Sequence, residues 1–257
     1  MRRKNKLYAA MTVCAFIQPV FAQGVQPKPR YYPPHTVASQ VRQIVSALGG
    51  RVQGPGKERV IMIGSLNRQG VASVLQIVRE LPGLFRIDET GGRNKSIGFD
   101  QTTLKGSSAI TADDEDLAET LDNDTAEAFL AKFAPGSTVR HLGDRFKVKG
   151  ETGFGSTVDI FEVVAPVTLK SDKQAVKKRY MFDSSTGLLR RVVYGATQSG
   201  KVVTVQTLFS NYAGFAGYTL PGRIARSTNG TEVFSFTLTS ASVVAAATDN
   251  AFTSIGR

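Results

Sequence analysis

The stretch that determines the fold reads RYMFDSSTGLLRRVVY (Arg179–Tyr194), VVTVQTLFSNY (Val202–Tyr212) and YTLPGRIARSTNGTEVFSFTLTSASV (Tyr218–Val243), with little but turns between the runs. Each run is rich in Val, Tyr, Phe and Thr, which favour strands. The breaks carry Gly or Asn where a hairpin needs positive φ, as at Asn229-Gly230. The sequence therefore predicts an antiparallel meander. Because such a sheet buries one face, its function depends on what packs against that face.

The rest of the chain predicts helices and further strands. Thr36–Leu48 has the apolar spacing of an amphipathic helix and is followed by Gly49-Gly50. From Asp113 to Phe133 the chain is acidic and favours helices, with a second helical start at Asp124. Strands are predicted at 59–66, 71–79, 84–88, 95–99, 138–149 and 157–165. This order predicts an α+β fold, in which helices cover one face of a large antiparallel sheet.

The N-terminus predicts export. Four basic residues, Arg2, Arg3, Lys4 and Lys6, precede an apolar run, and Val20-Phe21-Ala22 fits a signal peptidase site. The apolar run is about ten residues long, too short to span a bilayer. We therefore expect a signal peptide at 1–22 cleaved after Ala22, a proline-rich leader at 23–35, a single domain at 36–257 and a periplasmic location.

Composition narrows the classes of partner. The net charge is +11, and about +7 remains once the basic residues of the signal peptide are set aside. The other Lys and Arg residues are scattered along strands, so nucleic acid is not expected as a partner. Lys177, Lys178, Arg179, Arg190 and Arg191 are interpreted as solvated strand positions that allow at most transient contact with anionic membrane surfaces. Cys14, the single cysteine, lies in the signal peptide, so the mature chain has no thiol. A monomer is expected.

Motifs for catalysis or metal binding are incomplete. Gly195–Lys201 has the spacing of a phosphate-binding loop, but Val202 stands where Ser or Thr would hold magnesium. Asp122–Asp124 begins like a calcium loop but lacks its later glycine and glutamate, so we interpret it as a solvated helix face. His35 and His141 have no companion at metal-ligand spacing, and no Gly-x-Ser-x-Gly elbow is present. We expect no enzyme activity, no metal and no cofactor.

Alternation along the strands marks the candidate binding face. In several strands one parity is aromatic or aliphatic while the other is charged or hydroxylic. The predicted cavity residues are Phe85, Ile87, Phe129, Leu130, Phe133, Tyr180, Phe182, Phe234, Phe236 and Leu238. The alternative is that these residues are ordinary core beneath the helices. An open hollow is favoured because the strands outnumber the helices that could cover them, and because the helical stripe lies on a segment able to move as a lid.

Several phrases resemble the outer-membrane-lipoprotein carrier (LolA-like) superfamily. They are YMFDSSTGLLRRVVY (Tyr180–Tyr194), LFSNYAGFAGYTLPGRI (Leu208–Ile224), DNAFTSI (Asp249–Ile255) and the helix end at Ala47–Gly50. The resemblance implies an unclosed, strongly curved antiparallel sheet, a half-barrel whose concave face is covered by helices. It also implies a ligand that is a lipid or an acyl chain held between them.

Two functions follow as expectations. The first is an exported carrier or chaperone that binds a lipid or lipoprotein acyl chains between the curved sheet and the lid helices. The second is a non-enzymatic envelope sensor or protein-interaction module that uses the same fold with a filled core. Its envelope protein partner would be recognised through an edge strand or the Tyr212–Tyr218 loop.

Overall fold

The computed structural model describes residues 34–50, 58–80, 83–100, 102–132, 139–147, 157–166, 175–198, 200–246, 252 and 255. The predicted signal peptide lies outside these residues. Helix α1 is Pro34–Ala47, so it begins two residues before the predicted start. Helix α2 (Ala112–Ala118) continues into a π-helical turn (Glu119–Asn123), and helix α3 (Ala126–Ala131) follows. We call residues 112–131 the cover segment.

The strands agree closely with the predicted ones and add three short strands. They are β1 Glu58–Arg68, β2 Val71–Glu80, β3 Leu84–Thr90, β4 Lys95–Asp100, β5 Leu104–Gly106, β6 Val139–Lys147, β7 Thr157–Pro166, β8 Ala175–Asp183, β9 Leu189–Gln198, β10 Lys201–Ser210, β11 Ala213–Phe215, β12 Tyr218–Leu220, β13 Arg223–Thr228 and β14 Thr231–Ala245. The short strands β5, β11 and β12 were not predicted as separate elements, because three residues are too few for an alternating pattern to be recognised.

Twelve of these strands form one sheet in the order β5-β4-β3-β2-β1-β14-β13-β10-β9-β8-β7-β6, and β11 pairs with β12 in a separate ribbon. The long strand β14 pairs with β1, which joins the N-terminal strands to the C-terminal meander. β5 and β6 remain as edges, so the sheet is not a closed barrel. The predicted fold class, an unclosed curved antiparallel sheet with helices over its concave face, is confirmed.

Local chemistry accounts for the turns and the curvature. Asn229 and Gly230 have φ of 49° and 82°, as predicted for the hairpin between β13 and β14. The register between β1 and β14 shifts between Ile63 and Gly64. A Cβ atom on Gly64 would lie 2.3 Å from the Thr237 carbonyl oxygen and 2.5 Å from the Phe236 ring. The extra residue at this bulge is Thr239 on β14, which bends that strand, and Gly64 leaves room opposite it for the close approach of β14 at the middle of the sheet.

The core lies between the concave face of the sheet, α1 and the cover segment. Ile44 near the end of α1 and Leu48, which follows the helix, lie in this core. Thr111 caps α2, accepting a hydrogen bond from the Asp114 amide while the Asp114 carboxylate accepts from the Thr111 amide. The cap of α3 is Thr125, which accepts from the Ala128 amide. The second helical start therefore lies one residue beyond the predicted Asp124.

Candidate functional site

A mostly apolar cavity opens between the sheet and the cover segment. Its free interior is small, about 30 Å³, which is room for one or two water molecules. Its lining residues are Leu48, Met62, Ile77, Arg79, Leu121, Thr125, Ala126, Glu127, Phe209, Tyr212, Thr219, Leu220, Pro221, Ile224 and Phe236. The floor comes from five consecutive strands of the sheet, β2, β1, β14, β13 and β10. The roof comes from the cover segment. The apolar lining suits a hydrocarbon group, but a chain can enter only when the cover segment moves away from the sheet.

The predicted site residues lie mainly in the packed core near this cavity. Of the ten, only Phe236 is among the lining residues, and Phe133 lies outside the described residues. Phe85, Ile87, Phe234 and Leu238 are buried in the sheet, and Leu130 is partly buried against the same core. Their participation in ligand binding stays a prediction. The sheet positions that line the cavity, Met62, Ile77, Phe209 and Ile224, share the inward parity but were not selected from the sequence.

Phe129 packs against two other predicted residues, Tyr180 and Phe182, and against Phe161. Its ring centroid lies 4.8 Å from that of Phe182, 5.0 Å from Tyr180 and 5.2 Å from Phe161. Tilted ring pairs at these distances are favourable beyond the area that they bury. This aromatic cluster fixes α3 to strands β7 and β8.

Buried ion pairs also fix the cover segment to the sheet, and the sequence analysis missed them. Lys178 on β8 is 0% exposed and donates to Glu119 and, over 2.6 Å, to Asp124 Oδ1. Thr207 on β10 donates to the other Asp124 oxygen over 2.9 Å. Burial acts to lower the pKa of the Lys178 ammonium, but the carboxylates of Asp124 and Glu119 outweigh it and raise the pKa well above its usual value. The interpretation of Lys178 and Asp124 as solvated was therefore wrong.

A second cation, Arg226 on β13, reaches the same segment. Its Nη2 donates to Asp116 Oδ1 over 2.7 Å, and its Nη1 donates to Thr120 Oγ1 and the Tyr194 hydroxyl over 2.9 and 3.1 Å. Tyr194 separates this arginine from Lys178, whose Nζ lies 4.8 Å from the ring centroid. Burial raises the pKa of the Tyr194 phenol above its usual value, so the ring stays neutral between the two cations.

The cover segment is paired in the same way at its start and near its centre. At its start, Asp114 contacts Lys95 Nζ at 2.5 Å and Arg93 Nη2 at 2.8 Å. Near its centre, Asp122 lies 3.7 Å from Arg79, and Arg79 donates to Thr125 Oγ1 over 3.2 Å. Burial raises the pKa of the Asp122 carboxyl. The segment interpreted as a solvated helix face is thus the buried layer opposite the sheet.

The sequence contained a signal for these pairs. Lys178 has the same strand parity as Tyr180 and Phe182, which the alternation assigns to the buried face. Arg226 likewise shares the parity of Ile224, and Arg79 that of Ile77. A basic residue at an inward position needs a buried counter-charge, and the acidic segment from Asp113 to Asp124 was the available source. Arg190, also interpreted as solvated, is buried and pairs with Asp183 over 3.0 Å.

A search of the described residues finds no group of three side chains suited to hold a metal ion. Within the same residues, no helix combines the length and apolar character needed to cross a membrane.

Comparison with known proteins identifies the fold. No family model matches the sequence, and no curated protein matches it. Among solved structures, the fold is similar to a domain from Vibrio parahaemolyticus assigned to outer membrane lipoprotein sorting, with a TM-score of 0.51, 12% identity and coverage of 84% of this chain and 95% of that one. A LolA superfamily protein from Nitrosomonas europaea matches with a TM-score of 0.48 and 12% identity, over 78% of this chain and 92% of that one. A DUF1329 family protein from Desulfovibrio piger matches with a TM-score of 0.46 and 12% identity, over 84% of this chain and 96% of that one. The chain therefore shares the fold of the Vibrio parahaemolyticus domain.

Proposed function

We propose that this chain is an exported periplasmic carrier that binds a hydrophobic ligand, a lipid or lipoprotein acyl chains, between the curved sheet and the cover segment. The observation that carries the proposal is the apolar cavity between these two layers. Each methylene moved from water into it would contribute about 0.8 kcal/mol. The N-terminal signal pattern supports export, and the assignment of the similar Vibrio domain to lipoprotein sorting supports the class of ligand. No catalytic role is proposed.

The first test is the content of the protein isolated from its own periplasm. Native mass spectrometry, followed by organic extraction, would detect a stoichiometric lipid and identify its class. The expected result is a bound lipid that is released on denaturation. A protein that stays empty even after incubation with membranes would contradict the carrier function.

A pair of variants tests the location of the ligand. Ala126 lines the cavity, whereas Ala131 is exposed on the same helix α3. Ala126→Leu fills part of the cavity and should weaken uptake of a pyrene-labelled fatty acid, while Ala131→Leu should leave uptake unchanged. Circular dichroism and the unfolding midpoint establish that both variants are folded. Equal uptake by the two folded variants would contradict this cavity as the site.

One observation favours the second function, an interaction module with a filled core. Most predicted cavity residues are packed against one another, and nine-tenths or more of each is buried, as for Phe182 and Phe234. The Tyr212–Tyr218 loop is a poorer docking surface than expected, because Tyr218 is buried and the Tyr212 hydroxyl donates to the Leu189 carbonyl oxygen. Crosslinking in periplasmic extract separates the functions. A discrete protein adduct on an empty protein would favour the module.

A further inference from the structure

We propose that the ligand is an anionic amphiphile, and that Lys178 and Arg226 bind its acidic head, a carboxylate or phosphate, while its chain enters the apolar cavity. We call these two side chains with the Tyr194 ring between them the cationic seat. The inference rests on the proposed function and specifies the chemical class of its ligand.

The cationic seat and the cavity share one face of the sheet. On β13, Ile224 lines the cavity and Arg226, two residues further, belongs to the seat. On β10, Phe209 lines the cavity and Thr207, two residues before it, donates to the Asp124 carboxylate that Lys178 holds. Residues two apart in a strand point to the same face and are about 7 Å apart. A chain in the cavity would therefore place a head group next to the seat.

The seat is now occupied by carboxylates of the protein itself. Asp116 contacts Arg226, and Glu119 and Asp124 contact Lys178. All three belong to the cover segment, whereas both cations belong to the sheet. The cover segment thus acts as an internal anionic ligand, placed where an external one would be bound.

Charge balance decides which ligands can replace the cover segment. Moving that segment away for a neutral ligand would leave Lys178 and Arg226 beside apolar groups without a counter-charge, which is strongly unfavourable. An acidic head group would restore the charge-assisted hydrogen bonds that the cations lose. The seat also has an unused donor, since Arg226 Nε is buried without a hydrogen-bond partner among the described residues.

The proposal predicts preference for an acid over its neutral ester. The probes are pyrene-labelled hexadecanoic acid and its methyl ester, which have the same chain. A charge-assisted hydrogen bond corresponds to about tenfold in affinity or more, so the wild-type protein should bind the acid at least about tenfold more tightly. Equal affinity for acid and ester would overturn the anionic head while leaving the carrier function intact. Binding of neither probe would contradict the carrier function itself.

Variants that remove a cation together with the carboxylates that contact it, one double and one triple, locate the preference. Asp116→Asn with Arg226→Met removes one cation together with its carboxylate, so no buried charge is left alone. Lys178→Met with Glu119→Gln and Asp124→Asn does the same for the other cation. In each folded variant the acid-to-ester affinity ratio should fall towards one. A ratio that stays at the wild-type value in both variants would overturn the assignment of the seat.

Removing only the Asp116 charge, which competes with the ligand for Arg226, should strengthen binding of the acid. Asp116→Asn leaves Arg226 without its carboxylate partner on the cover segment, so the acid should bind several-fold more tightly than to the wild type. Inorganic phosphate serves as the probe for a small soluble anion. If phosphate alone raised the unfolding midpoint as much as the fatty acid does, the seat would be a soluble-anion site and the amphiphile proposal would be overturned.

Discussion

Phe129 anchors helix α3 of the cover segment to the sheet. It is 0% exposed and contacts the rings of Phe161, Tyr180 and Phe182. Because truncation of a buried phenylalanine loses both transfer free energy and packing, Phe129→Ala should lower the free energy of unfolding by about 3–5 kcal/mol. Urea denaturation followed by circular dichroism measures this loss.

Val202→Ala is the matched control, because Val202 is 81% exposed at the start of β10. Its effect should stay within about 0.5 kcal/mol. A loss for Phe129→Ala that is as small as the control's would mean that the aromatic cluster does not hold α3 in place.

His141 contacts α1 and is expected to make the stability of the protein depend on pH. Its Nε2 lies 3.3 Å from the Gln40 amide nitrogen of α1, and its ring packs on Phe161 at 4.7 Å. Burial lowers the pKa of this imidazole below 6.5, although the charges of Asp159 and Asp144 act to raise it. The imidazole is therefore protonated at a higher pH in the unfolded chain than in the folded one. Stability should decrease as the pH falls through about 6.5.

His141→Gln tests this dependence by removing the titrating group. Between about pH 7.5 and pH 5 the variant should lose less free energy of unfolding than the wild type, as measured by urea denaturation at each pH. His35→Gln controls for the other histidine of the chain. If His141→Gln and the wild type lost stability in parallel, the depressed pKa would have no role in the acid response.

At the scale of elements, Gly64 allows the close approach of β1 to the long strand β14. The close approach of the Thr237 carbonyl oxygen and the Phe236 ring leaves no room for a Cβ atom. Gly64→Ala should therefore destabilise the protein by about 1–3 kcal/mol, because the two strands must separate or distort. Thermal and urea unfolding measure the change.

Gly195→Ala is the control in the same sheet. A Cβ atom there would find Val202 Cγ1 at 3.8 Å, which is ordinary contact. Since glycine within a strand costs about 0.5–1 kcal/mol relative to alanine, this variant should be neutral or slightly more stable. Equal destabilisation by the two alanines would argue against a specific role of Gly64 in the close approach of β14.

The elements also show how far sequence reasoning reached. Alternation and turn residues predicted the long strands within a few residues, because burial of one face imposes period two on each of them. Alternation also assigned Tyr180, Phe182 and Phe236 to the buried face, but it could not determine which inward positions would line a cavity. That depends on where the cover segment packs, and the packing rests on pairs such as Asp116–Arg226, which are 110 residues apart in the chain.

At the scale of the whole molecule, two parts are held together by different forces. The sheet is joined by continuous backbone ladders from β5 to β6. Among the described residues, no backbone-to-backbone hydrogen bond joins the cover segment to a strand, and the contacts found there involve side chains. Buried ion pairs such as Lys178–Asp124 offset much of their own desolvation cost but add little net stability. The cover segment should therefore open at a lower free energy than the sheet.

Native-state hydrogen exchange measures the two free energies separately. Amides of residues 119–131 should exchange by local opening that depends little on low urea concentrations, whereas amides in β10 and β14 should exchange only by global unfolding. Because an anionic amphiphile is expected to replace the carboxylates of the cover segment, adding hexadecanoic acid should speed exchange in 119–131 and slow it in the sheet. Its methyl ester should have a weaker effect. If the amides of the cover segment exchanged with the free energy of global unfolding, the two layers would unfold as one unit. If the acid also left their exchange unchanged, the ligand would not enter between the layers.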